Sequence, residues 1–137
     1  MLTETQVKER IGGSPSGISA VFIPIDEEKG LKLWRYENTR DNVYEQQRVL
    51  AQYRLAPEVY EKVDVAGYYG YVTERIEPIA ECDDYYEHRK VESKYADEIY
   101  FYEKAAKKHG FYNCDNHGGN YGIAKDGTFM CLDFGND

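Results

Sequence analysis

Two runs of strand-forming residues separated by one polar turn constrain this chain more than any other feature of its first half. Residues 18–25 (ISAVFIPI) are dense in β-branched and aromatic types and read as a buried strand. Residues 26–30 (DEEKG) make a turn, and residues 31–36 (LKLWRY) alternate as a second strand, so the two form a hairpin. Two more strands are expected at 59–65 and 69–76, joined by a turn at Ala66-Gly67, with a short later hairpin around Lys125-Asp126-Gly127. Between the strand pairs, Asp41 is placed to cap a helix running to about Leu55, with Val43, Leu50 and Tyr53 or Arg54 along one side. Ala56-Pro57 should end it, because a residue before proline resists helical ψ. Residues 83–109 are helical in pattern, as one helix or as two with a break near Ser93. Tyr95, Ile99, Tyr102 and Ala106 fall at i, i+4, i+7 and i+11, and Gly110 fits the position after the helix end. Five strands with one early and one late helix make an α+β order with mostly antiparallel strands.

The chain has 137 residues, room for one domain, and its 42% hydrophobic content suffices for a packed core. Acidic residues outnumber basic ones by 25 to 17, a formal net charge of -8, which argues against non-specific binding to nucleic acid or to an anionic membrane. Cys82, Cys114 and Cys131 form no CxxC pair and cannot all be bridged, so they read as reduced thiols in a cytoplasmic protein. Residues 1–10 lack the apolar core of a signal peptide, and the longest apolar stretch, 18–25, is too short to span a bilayer.

The chemistry concentrates in residues 113–137 (NCDNHGGNYGIAKDGTFMCLDFGND). Asp115, His117 and Asn120 stand in the pattern D-x-H-x-x-N, and Asp133-Phe134-Gly135 follows after a short hairpin. This resembles the catalytic core of the protein-kinase-like superfamily, especially the branch shared with aminoglycoside and choline phosphotransferases, whose loop reads D-x-H-x-G-N. The resemblance implies ATP and Mg²⁺ as cofactors. Asp115 would position or deprotonate a nucleophile, and Asn120 and Asp133 would supply the two hard oxygen ligands that Mg²⁺ takes in phosphoryl transfer. The competing reading is plain: Asp and Asn also make Asx-type bonds in Gly-rich loops, and Asp133 could simply lead a strand into a turn.

Upstream residues follow the order the same family uses. By the resemblance, Lys32 in the second strand would hold the α- and β-phosphates, and Glu45 in the next helix would pair with it. Alone, they read as a solvated strand lysine and an exposed helix former. Gly12, Gly13, Ser14 and Gly17 resemble the phosphate-covering loop, although Ser14 stands where a second glycine is expected and Pro15 removes a donor. Thr73 matches the gatekeeper, and the main chain of Glu74 and Ile76 would meet an adenine edge. The implied architecture is an N-lobe of a five-stranded antiparallel sheet plus one helix, about residues 10–77. A reduced helical C-lobe would span 78–137, in a single minimal kinase-like domain.

Only Asn136 and Asp137 follow the Asp133-Phe134-Gly135 triplet, so no activation segment or substrate-binding helices are expected here. Two functions follow from the resemblance. One is a minimal ATP- and Mg²⁺-dependent phosphotransferase or ATPase. The other is a catalytically weak or inactive nucleotide-binding module acting through protein–protein contact. Either leaves apolar helix surface for a partner protein or a second copy to cover.

Overall fold

The computed structural model describes residues 3–11, 21–79, 85–111 and 121–132. Its helices are α1 (Glu4–Ile11), α2 (Glu37–Ala51), α3 (Tyr85–Lys94) and α4 (Ala96–Lys108). Its strands are β1 (Val21–Pro24), β2 (Lys29–Trp34), β3 (Val59–Val65), β4 (Tyr68–Glu74), β5 (Tyr121–Ile123) and β6 (Phe129–Cys131). The first four strands form one antiparallel sheet in the order β1-β2-β4-β3, and β5 and β6 form a separate hairpin, so the fold is mixed α+β. The sheet was expected to have five strands; among the described residues it has four. The late hairpin does not extend it and meets the rest through an isolated bridge between Pro78 and Gly122.

The turns explain the strand ends. The Asp26 carboxylate accepts from the backbone N–H groups of Glu28 and Lys29, 2.8 Å each, which closes the β1–β2 turn and starts β2 at Lys29. Ala66 and Gly67 both take positive φ, 56° and 80°, as a two-residue turn matching the strand twist requires.

α2 differs from expectation at both ends. It begins at Glu37, and Asp41 lies inside it, where its carboxylate accepts from Arg40 Nε and Lys62 Nζ instead of from the helix backbone. It ends at Ala51, ahead of Ala56-Pro57. Leu55 N–H donates to the Leu50 carbonyl and Arg54 N–H to Ala51, a Schellman closure with Arg54 in the left-handed region at φ 56°. α4 closes the same way at the expected place, with Gly110 at φ 83° and Phe111 N–H bonded to the Ala106 carbonyl. The break between α3 and α4 falls at Tyr95, two residues beyond Ser93.

The sheet is buried on both faces, because successive side chains of β2 and β4 point opposite ways. Leu31, Leu33 and Val72 pack on the outer face with Ile23 of β1 and Val7 of α1. Trp34 and Tyr71 face inward onto Val43 and Leu50 of α2, Ile99, Tyr102 and Ala106 of α4, and Tyr121 and Met130 of the hairpin. Cys131, buried in that inner core, is disulfide-bonded, which departs from three reduced thiols. Among the described residues no helix is long and apolar enough to cross a membrane.

Candidate functional site

Lys32 carries the geometry. It sits in β2 opposite Tyr71 of β4, half-buried on the inner face. Its Nζ donates to the carbonyl of Leu132 at 2.9 Å, a contact spanning 100 positions, and lies 3.5 Å from Gln47 Oε1. One ammonium therefore joins the sheet, α2 and the residue directly before Asp133.

Gln47 is the other centre. It is fully buried, yet all four of its hydrogen-bonding valences are used. Nε2 donates to the Pro57 carbonyl at 2.9 Å and to Thr73 Oγ1 at 2.8 Å. Oε1 accepts from the Tyr71 hydroxyl at 2.5 Å and faces Lys32 Nζ. The chemistry of the neighbours fixes the amide's orientation: the Pro57 carbonyl can only accept, and the ammonium of Lys32 can only donate. Thr73, also buried, donates its own hydroxyl to the Glu58 carbonyl at 2.9 Å.

The expected Lys32–Glu45 ion pair is not formed. Glu45 points to solvent and pairs with Arg48, whose guanidinium holds its carboxyl below the ordinary carboxylate range. Helix geometry gives the reason. The buried stripe of α2 runs Arg40, Val43, Gln47, Leu50, with spacings of three and four, and Glu45 lies two residues off it on the opposite side. That same stripe was the signal that could have identified Gln47.

Glu74 and Ile76 lie at the end of β4 and just beyond it, three and five residues past Tyr71, so Glu74 is about 10 Å along the strand from the position opposite Lys32. Both line a cavity of about 350 Å³ with Glu28, Tyr60, Glu77 and Ile123. Its lining mixes carboxylates with two cations, Arg75 and Lys125, and Lys32 is not among its walls. Glu74 is occupied in another way. Its carboxylate takes both arms of Arg54, Nη1 at 2.6 Å and Nη2 at 3.0 Å, while Arg54 Nε donates to Asp126 at 3.1 Å in the β5–β6 turn. The Arg54 bonds hold the Glu74 carboxyl below its usual range and are in turn the main reason the Arg54 pKa is raised. Asp126 is drawn down to about 2, chiefly by the Thr128 backbone N–H and hydroxyl and then by Arg54.

Gly122 brings the hairpin under this end of the sheet. A Cβ there would stand 2.8 Å from both the Glu77 carbonyl and Ile76 Cγ2, so only glycine permits the approach. Ile79 N–H also donates to the Tyr121 carbonyl at 2.9 Å. The remaining expected site residues, Gly12, Gly13, Ser14, Gly17, Asp115, Asn120 and Asp133, lie outside the described residues, as does His117. Among the described residues no group of three His, Cys, Asp or Glu side chains could hold a metal ion.

No family model matches the chain, and no curated protein matches it significantly in sequence.

Proposed function

We propose that the chain is a minimal kinase-like nucleotide-binding protein that takes ATP with Mg²⁺ and acts as a phosphotransferase or ATPase. The observation that carries this reading is the contact of Lys32 Nζ with the Leu132 carbonyl. It brings the lysine expected to hold the phosphates next to the residue preceding Asp133, one of the two expected metal ligands. The strand order supports the reading too. The helix between β2 and β3 and the antiparallel sheet are what a kinase-like N-lobe needs to aim such a lysine at a triphosphate. In this reading Asn120 and Asp133 hold Mg²⁺, which when bound neutralises phosphate oxygens, Asp115 positions the acceptor, and the Gly12–Gly17 loop covers the phosphates. Glu74 and Ile76 offer main-chain groups to the base.

A second reading, a binding module with little turnover, is favoured by one observation. α4 leaves Tyr100 and Phe101 more than half exposed, an apolar pair suited to a partner protein or a second copy. A cytoplasmic setting goes with ATP use. The disulfide at Cys131 weighs against it, because such bonds are rare in reducing compartments.

Melting curves with and without MgATP test the shared claim. A ligand bound to the native state stabilises it by RT ln(1 + [L]/Kd), about 2.7 kcal/mol at a hundredfold excess over Kd. The expected result is a rise in Tm that Lys32→Met reduces and Asp133→Ala abolishes. No shift at millimolar MgATP removes the nucleotide from both readings. Phosphate release from labelled ATP then separates the two: Asp115→Ala should abolish it, and a rate equal to that of wild type leaves the binding module.

A further inference from the structure

We infer that Gln47 is the positioning residue for Lys32, holding the ammonium toward the Leu132 carbonyl through an uncharged amide where a carboxylate would be expected. The ligand side of this inference rests on the nucleotide reading above; the placement of Lys32 does not.

The argument starts from burial. Gln47 has no exposed surface, so each of its polar atoms must be satisfied within the protein. Two of its four contacts, to the Pro57 carbonyl and to Thr73 Oγ1, need a donor. A carboxylate has none to give. Glutamate at this position would form an ion pair with Lys32, but it would leave the Pro57 carbonyl without this donor and place a full charge among Trp34, Tyr71 and Leu50. An amide alone meets both demands. Its nitrogen ties α2 to the segment before β3 and to β4, and its oxygen turns to Lys32 and Tyr71.

The consequence is a lysine whose direction is set by the fold before any ligand arrives. α2 is anchored to the sheet through Gln47 by uncharged bonds, and Arg40 anchors its first turn through the Gly70 carbonyl at 2.9 Å. The coupling between α2 and Lys32 is therefore built in, through the Gln47 amide oxygen.

The test has two arms. In the first, lysines are acylated under limiting reagent and the sites quantified by mass spectrometry, with Lys29 of the same strand as internal reference. Gln47→Met, which keeps the length and packing, should raise labelling of Lys32 relative to Lys29 at least about threefold; an unchanged ratio overturns the inference, whether or not the protein binds nucleotide. In the second arm, Gln47→Met should weaken MgATP about tenfold, the scale of a lost hydrogen bond to a charged group, while adenosine binding is unchanged. Equal weakening of both ligands marks general damage and overturns positioning. If wild type binds no MgATP, the nucleotide reading fails and the labelling arm still decides the role of Gln47. Should Gln47→Met not fold, Tyr71→Phe removes the hydroxyl that fixes the amide oxygen, and a smaller rise in Lys32 labelling is expected. An unchanged ratio in that variant overturns the inference.

Discussion

The two faces of the four-stranded sheet are both buried, yet they are built on different principles. The outer face is aliphatic: Val7, Ile23, Leu31, Leu33 and Val72 fill it without a polar group among its buried members. The inner face stacks Trp34 on Tyr71, with ring centroids 5.3 Å apart, and threads the Gln47 amide, the Thr73 hydroxyl and Lys32 between the rings and α2. Shape and area are all the outer face requires, so many aliphatic combinations would serve. Directional bonds are required on the inner face, and only specific atoms supply them. Adjacent residues of one strand therefore answer to different physics, and Lys32, Gln47 and Thr73 lie on the demanding side.

Tyr71 and Val72 put that contrast to its strongest test, because they are neighbours facing opposite ways. Tyr71→Ala should cost about 4 kcal/mol, since it opens a cavity in the aromatic cluster and strips Gln47 Oε1 of a donor. Val72→Ala should cost about 2 kcal/mol, the worth of a buried aliphatic side chain. Urea unfolding of both variants measures this. Equal losses would mean that neither the larger ring nor the hydrogen bonds of the inner face add anything, and the distinction between the faces would collapse.

This division also explains what could be read from the residues in order. Strand β3 at 59–65, the Ala66-Gly67 turn and the Gly110 helix end are set by local rules: alternation, positive φ and capping. They were legible. Helix α2 was placed too late because Asp41 spends its carboxylate on Arg40 and Lys62 and caps nothing, and carried too far because the closing residue is Arg54, whose side chain is held by Glu74 and Asp126. A positive-φ arginine where glycine is usual gives no local sign of a helix end. α1 escaped notice because Val7 is the only side chain described there as buried, too little for a periodic signal. Lys32 and Glu45 were both picked by resemblance to the kinase-like pattern; the face of the helix, set by tertiary packing, turns Gln47 and not Glu45 toward Lys32.

Swaps that preserve volume sharpen the comparison at lower cost. Thr73→Val keeps the shape but removes the hydroxyl that accepts from Gln47 and donates to the Glu58 carbonyl, so a loss of about 1.5 kcal/mol is expected. On the other face, Val72→Ile adds one methylene to an aliphatic cluster and should stay below about 1 kcal/mol. The same unfolding assay reads both. A Val72→Ile variant that suffers more than Thr73→Val would show that packing, not polarity, is the stricter constraint in this sheet.

The smallest expected effect concerns pH, and it too should belong to the inner half. Arg54 holds Glu74 and Asp126 together where β4 meets the hairpin, and both carboxyls have folded pKa values below their ordinary ones, Asp126 at about 2. A depressed folded pKa means that the unfolded chain binds protons first as pH falls. The stabilisation is therefore complete above the ordinary carboxylate range and fades as pH drops from about 4.5 toward about 2. Most of it should come from the Glu74 pair, since Asp126 is well solvated and its attraction to Arg54 is screened. Arg54→Met should flatten the dependence of stability on pH between 5 and 3, and Trp34 fluorescence, which reports the inner face, should shift at a higher pH in that variant only if the latch guards that core. In the outer cluster, by contrast, the buried members carry no ionisable group, so Leu33→Val should lower stability by a similar amount at every pH. An acid slope unchanged by Arg54→Met would detach the latch from the inner face and leave its charges as surface pairs of little weight.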